Sequence, residues 1–141
     1  MRFNNKNVIL PEPIVVDDRL RLEALENSTF GLTNKASVST VQYSLDNGTT
    51  WTDLTTSSNI TLNAGDIAYL RGKITGNLTG DDYTKFIMTG KIAAKGNIMY
   101  LYDYENPENK IINYGGVFYS LFSDCSSLVE APELPATTLT K

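Results

Sequence analysis

The chain has 141 residues, the size of one domain, or of one small domain with an appendage. Its net charge is −4 at pH 7 and its twelve Lys and Arg residues are scattered singly, so it lacks the clustered cations of a nucleic-acid groove. It contains no His and a single Cys, so we predict no intrachain disulfide, no metal site, no cofactor and no catalytic constellation.

Residues 1–19 are predicted to form an extended arm, because Pro11 and Pro13 hold the residues before them out of helix. The arm adds either to the edge of its own sheet or to that of a neighbouring subunit. Its candidate anchoring residues are Phe3, Val8, Ile9, Leu10, Ile14 and Val15. The apolar run at residues 8–10 is too short for a signal peptide, and no run is long enough to span a bilayer. We therefore expect no membrane contact and a protein kept in the cytosol, unless the chain is a fragment or leaves by another route.

Residues 20–109 are predicted to form a mainly β domain, an antiparallel sandwich or jelly-roll-like unit. Turn signals recur roughly every 8–12 residues, with short alternating strands between them. Within this region residues 29–33 are expected to pair back on the strand that begins near Leu20. Residues 67–74 are predicted to form a longer strand interrupted by Gly72, and residues 95–104 another strand.

The clearest local signal is the hairpin Ser44-Leu-Asp-Asn-Gly-Thr-Thr-Trp51, because Asn-Gly tolerates positive φ at a tight turn. Its five specified positions resemble the Asp box of sialidases and other propellers: Ser44, Asp46, Gly48, Thr50 and Trp51. The Asp46 carboxylate is expected to accept hydrogen bonds across the turn. A propeller would need several copies, so we interpret the motif as a structural turn whose Trp51 folds back over the hairpin and anchors a small core.

Three tyrosines, Tyr100, Tyr102 and Tyr104, alternate along the last predicted strand and would therefore share one face. A row of tyrosines stacks on sugar rings or fills a protein interface. The same row is also typical of a half-buried face covered by a neighbouring segment. The sequence indicates a candidate binding face and leaves these alternatives open.

The final segment, residues 110–141, has a different character. Phe118, Leu121, Phe122 and Cys125 lie at helical spacing, which predicts a short amphipathic helix, and a proline-broken extended stretch follows. This segment resembles one repeat of the BspA-like leucine-rich repeat family. The repeat-core positions are Phe118, Leu121, Phe122, Cys125, Leu128, Leu134 and Leu139. Because one solenoid repeat cannot bury its own core, either more chain follows, or the repeat docks on the β-domain or on a partner subunit.

The resemblance implies a non-enzymatic structural and binding protein, since the family occurs on the surface of Bacteroidales and on the virions of their phages. We expect a virion component, either a capsid decoration, a head fibre or a tail fibre. Its arm would hold it to other virion proteins or to sister subunits of a homo-oligomer, and its repeat region would attach to a cell-surface glycan or protein. The alternative is an N-terminal fragment of a bacterial cell-surface adhesin.

Overall fold

Strands dominate the described part of the protein, where 43% of the residues are in strands and 4% are in a helix. A computed structural model describes residues 17–78, 83–114, 117–118, 120–123 and 125–139. The strands are β1 Arg21–Ala24, β2 Ser28–Asn34, β3 Ser39–Ser44, β4 Thr52–Asp53, β5 Asn59–Leu62, β6 Ile67–Ile74, β7 Lys85–Thr89, β8 Ile92–Lys95, β9 Ile111–Ile112, β10 Leu128–Glu130 and β11 Thr138–Leu139. One helix, α1 Met99–Tyr102, lies between β8 and β9. No helix in the described ranges is long and apolar enough to cross a membrane.

The strands form a six-stranded sheet in the order β10-β8-β1-β6-β3-β4, a three-stranded sheet β5-β2-β7 and a small pair β11-β9. Neighbours are antiparallel except β10 with β8 and β11 with β9, which are parallel. The prediction of a mainly β, antiparallel protein is therefore confirmed.

The two larger sheets share one hydrophobic core. Leu22 and Leu70 come from the six-stranded sheet, and Phe30 and Phe86 from the three-stranded sheet, and all four are at most 2% exposed. Phe30 meets Tyr43 of the opposite sheet edge to face, with ring centroids 5.9 Å apart. Burying each large side chain stabilises the fold by roughly 1.5–3 kcal/mol, so this shared core holds the sheets together.

The expected pairing of residues 29–33 with the first strand is wrong. β1 lies between β6 and β8, whereas β2 lies between β5 and β7 in the other sheet. Residues 25–27 carry the chain across, and Leu25 N donates to Lys91 O at 2.9 Å. Apolar alternation fixes which face of a strand is buried. It does not fix whether two successive strands lie side by side or face each other across the core.

The predicted strand at residues 95–104 is also wrong, because the extended backbone ends at Lys95. Gly96 has φ +88°, and a Cβ there would lie 2.2 Å from Arg19 O, so only glycine fits. Asn97 Oδ1 then accepts from Met99 N at 2.8 Å, while Asn97 Nδ2 donates to Pro107 O at 2.9 Å. These contacts start α1 instead, so the tyrosines of this segment do not share the face of a strand.

The predicted amphipathic helix at residues 118–125 is replaced by successive turns in the described residues. Leu121 N donates to Phe118 O at 3.2 Å, and Cys125 N to Phe122 O at 3.1 Å, which is the three-residue spacing of tight turns. Ser120 has φ 57°, which interrupts a right-handed helix. Phe86 N donates to Leu121 O at 2.8 Å, so this carbonyl pairs with the sheet rather than with its own segment.

The repeat segment, residues 118–139, contacts the β-domain directly. Leu128 of β10 is in register with Ile92 of β8, and Ile92 N donates to Ser127 O at 3.1 Å. Leu121 and Cys125 belong to the same core cluster as the sandwich, and Phe122 stacks on Phe86 at 5.6 Å. The described residues of this segment therefore pack on the β-domain.

Candidate functional site

The hairpin tip is organised around the carboxylate of Asp46. Its oxygens accept from Thr50 N at 2.8 Å, from Thr50 Oγ1 at 2.6 Å and from Ser44 Oγ at 2.7 Å. These hydrogen bonds, those from Thr50 foremost, lower the pKa of Asp46 to about 2. The carboxylate thus closes the loop between β3 and β4 from the inside of the turn.

The turn itself needs two residues of positive φ, which Asn47 (63°) and Gly48 (88°) supply. Ser44 Oγ accepts from Gly48 N at 2.8 Å, and Trp51 Nε1 donates to Gly48 O at 3.1 Å. All five residues singled out by the motif therefore lie in one network. Trp51 folds back over the hairpin as expected, but its ring lies outside the core clusters, against the outer face of the six-stranded sheet.

Beside the tip, the guanidinium of Arg71 lies between two aromatic rings. Its central carbon is 4.3 Å from the ring of Trp51 and 4.3 Å from the ring of Tyr104. Arg71 Nε donates to Gln42 Oε1 at 2.8 Å, and Gln42 Nε2 donates to Asp53 Oδ1 at 2.9 Å. The stacked rings and the amide hold the guanidinium in one orientation on the outer face of β6.

A second arginine, Arg19, completes the surface by a different arrangement. It lies 4.0 Å over the ring of Tyr69, and its Nη atoms donate to Asn47 O at 3.0 Å and Asn47 Oδ1 at 2.8 Å. Nε and Nη2 also donate to the Asp17 carboxylate, each at 3.0 Å. These bonds lower the pKa of Asp17 to about 2, so Arg19 and Asp17 neutralise each other.

Between the two arginines lies a pocket of about 190 Å³, which we call the Arg71 pocket. It is lined by Arg19, Trp51, Leu70, Arg71, Tyr100 and Tyr104. Tyr100 Oη donates to Asp18 Oδ1 at 3.1 Å, and burial together with that carboxylate raises the pKa of Tyr100. The pocket therefore combines aromatic walls with two arginines. Arg19 is paired with a carboxylate, whereas Arg71 is hydrogen-bonded to a neutral amide.

The three tyrosines of the predicted binding face separate in the structure. Tyr100 and Tyr104 line the Arg71 pocket, whereas Tyr102 is 4% exposed and belongs to a second core cluster with Ile112. Tyr102 Oη accepts from Asn113 N at 2.9 Å. The expectation that all three share one surface is wrong, because α1 turns the middle residue inward.

Sequence reasoning missed the arginines and the role of Trp51 in the pocket. One signal was present: Tyr69 and Arg71 have the same parity on β6, opposite to that of the core residues Ala68 and Leu70. That parity places Tyr69 and Arg71 on the outer face of β6. Nothing local indicated that the hairpin and the segment after α1 would each bring a ring within 4.3 Å of the guanidinium carbon.

The repeat-core positions have unequal surroundings. Leu121 and Cys125 are buried, and Phe118, Phe122 and Leu128 pack on the core from half-buried positions. Cys125 Sγ donates to Phe86 O at 3.2 Å. Leu134 is 55% exposed, so it is not a core residue of the described fold. The backbone of Leu139 belongs to β11.

The anchoring candidates Phe3, Val8, Ile9, Leu10, Ile14 and Val15 lie outside the described residues. Only residues 17–19 of the arm are described, and Asn97 N donates to Asp18 O at 2.8 Å. Asp17 and Asp18 border a cleft of about 240 Å³ together with Glu130 and Glu133 of the repeat segment. The arm and the repeat segment therefore meet at the same end of the β-domain.

No family model, curated protein or solved structure matches the chain. Among the described residues no three His, Cys, Asp or Glu side chains come together as ligands for a metal ion. The functional proposal therefore rests on the sequence resemblance together with the geometry described above.

Proposed function

We propose that the chain is a non-enzymatic structural and binding protein, specifically a phage virion component such as a capsid decoration, a head fibre or a tail fibre. The observation that carries the proposal is the parallel addition of β10 to β8. Successive repeats of a solenoid run in the same direction, so their strands stack in parallel. β8 of the β-domain thus provides a strand to which the first strand of such a repeat can add in parallel.

The outer edge of β10 strengthens this proposal. β10 is the terminal strand of the six-stranded sheet, and Val129 on it is 54% exposed. An edge strand presents unpaired backbone donors and acceptors that pair readily with another strand. A further repeat, or a strand of a sister subunit in a homo-oligomer, would satisfy this edge.

The role proposed for residues 1–19 is attachment to the particle. Arg19 and Asp17 are fixed to the β-domain by hydrogen bonds to Asn47 and Tyr69. The residues before them include the six candidate anchoring side chains, which we propose add by strand pairing to other virion proteins or to sister subunits. The Arg71 pocket supplies a separate surface for a cell-surface glycan or protein.

The test is the presence of this polypeptide in purified virions, measured by mass spectrometry after density-gradient separation. We expect the chain at a copy number comparable with other structural proteins, and its absence from intact particles refutes the proposal. A second arm compares the full chain with a form that begins at Asp17. The shortened form should fold, because it keeps every described residue of the core that the two larger sheets share. It should fail to enter particles.

The alternative function is adhesion, with the chain as part of a bacterial cell-surface protein. The exposed edge of β10 and the aromatic pocket favour it equally well, since both are binding surfaces that need no particle. An antibody against the chain distinguishes the two functions. Labelling of intact, uninfected bacteria supports adhesion, whereas labelling confined to released particles supports the virion role.

A further inference from the structure

Arg71 differs from the other described arginines in lacking a carboxylate partner. Arg19 pairs with Asp17 at 3.0 Å and Arg21 with Glu23 at 2.9 Å. Within the part of the chain that the structure describes, Arg71 has one hydrogen bond, from Nε to the neutral amide of Gln42. Its terminal nitrogens have no hydrogen bond within that part of the chain, and Arg71 is one of the residues that line the pocket.

The position of this cation favours anion binding. Arg71 is half-buried, and its two stacked rings attract the charge without neutralising it. Gln42, itself held by Asp53, fixes the plane of the guanidinium, so little side-chain entropy remains to be lost on binding. A planar fork of donors is matched best by a carboxylate, which accepts two parallel hydrogen bonds.

The acidic side chains near the pocket accept hydrogen bonds from donors other than Arg71. Asp17 is engaged by Arg19, and Asp18 accepts from Tyr100. On the same face of β6, Lys73 pairs with Glu105 at 2.9 Å. The neighbouring acids are thus occupied by other donors, and Arg71 is the cation in the pocket that can still take an anion.

The volume of the Arg71 pocket and its aromatic lining restrict the class of ligand that it can bind. The pocket measures about 190 Å³, below the roughly 300–1,000 Å³ of sites for drug-sized molecules, which suits a single ring. Tyr100, Tyr104 and Trp51 offer aromatic surface to the C–H face of a sugar. We propose that the Arg71 pocket binds one uronic-acid unit of an acidic polysaccharide, with the sugar carboxylate on Arg71. This inference rests on the proposed binding role and names its ligand class.

The test uses the full chain, whose only tryptophan is Trp51, so that intrinsic fluorescence reports on the pocket itself. D-glucuronic acid should change the emission saturably. Its uncharged methyl ester, D-glucose and acetate should each bind at least tenfold more weakly, since they lack either the charge or the ring. A methyl ester, glucose or acetate that binds as tightly as glucuronic acid overturns the proposal, as does an absence of saturable change with glucuronic acid.

Two variants separate the pocket from general charge. Arg71→Gln should bind D-glucuronic acid at least tenfold more weakly than the unmodified chain. Lys73→Gln is the control, because it removes the same charge two residues away, and its affinity should stay within twofold of that of the unmodified chain. Unchanged affinity in Arg71→Gln contradicts the proposal. If Arg71→Gln fails to fold, the comparison of glucuronic acid with its methyl ester on the unmodified chain still decides. If the chain is found in virions but does not bind glucuronic acid, the proposed ligand is wrong and the virion role stands. If the chain binds glucuronic acid but is absent from virions, the virion role is wrong and the proposed ligand stands.

Discussion

The hairpin tip and the repeat segment are held to the β-domain in opposite ways. At the tip, Asp46 binds partners two and four residues away in sequence, and the bonds are exposed or part-buried. In the repeat segment, Cys125 and Ser127 donate to carbonyls that lie 39 residues earlier, and apolar side chains accompany them into the core. The tip is thus a local device of modest stability. The repeat segment depends on the whole fold and contributes to it.

The largest expected effect tests the docking of the repeat segment. Leu121 is 2% exposed in the main core, so Leu121→Ala should lower the free energy of unfolding by about 2–5 kcal/mol through lost burial and the cavity left behind. Leu134→Ala is the matched control, because Leu134 is 55% exposed in the same segment. It should change stability by less than about 0.5 kcal/mol.

Urea denaturation followed by Trp51 emission measures both variants. Equal effects of the two substitutions would show that the repeat segment does not share the core of the β-domain. A Leu121→Ala protein that unfolds in two separate transitions would show the same.

The same contrast explains what the sequence could predict. The hydrogen bonds that close the turn were predictable because their donors and acceptors, from Ser44 to Trp51, lie within one short stretch, whereas the contact of Arg19 with Asn47 was not. The strand Ile67–Ile74 also occurs with the predicted bounds, but it continues through Gly72, where an interruption was predicted. The end of β8 was not predictable, because the steric reason for Gly96 is the carbonyl of Arg19, far away in the chain.

The candidate site was predictable only in part, for a related reason. Tyr104 and Trp51 were recognisable as aromatic residues of interest, but their common neighbour Arg71 connects a hairpin, a strand and a segment after a helix. Each of those elements has its own local signal. Their meeting point depends on the order of β1, β6, β3 and β4 in the sheet, which alternation does not determine.

A smaller effect is expected at the tip from Gly48→Ala. Gly48 has φ +88°, where an L side chain costs roughly 1–2 kcal/mol, and its new methyl group would lie 3.2 Å from Arg19 Nη1 and 3.5 Å from Trp51 Cζ2. Gly65→Ala is the control, because Gly65 has φ +91° and no atom within 4 Å of the added carbon. Both variants should lose stability to a similar extent, but only Gly48→Ala should shift the emission of Trp51. An unchanged emission in Gly48→Ala would mean that the indole does not lie against the turn.

The smallest expected effect concerns the acid range. The pKa of Asp46 is about 2 in the folded protein, against an ordinary value of 3.8, so folding is favoured by its ionised form. That contribution is complete above about pH 4 and disappears as the pH falls towards 2, when the folded carboxylate also takes up a proton. The free energy of unfolding of Asp46→Asn should therefore fall less between about pH 4 and pH 2 than that of the unmodified chain, but it should still fall. Asp17, whose folded pKa is also about 2, titrates over the same range.

Thr50→Val sharpens this prediction, because the Thr50 side chain is the foremost cause of the low Asp46 pKa and valine has nearly the same shape. NMR titration of the Asp46 carboxyl carbon should give a pKa near 2 in the unmodified chain. It should give a higher value in Thr50→Val, where the backbone N–H of residue 50 and the Ser44 hydroxyl remain as donors. An ordinary pKa for Asp46 in the unmodified chain would mean that its carboxylate does not hold the tip closed. The closed conformation of the hairpin tip would then depend on the positive-φ residues Asn47 and Gly48 alone.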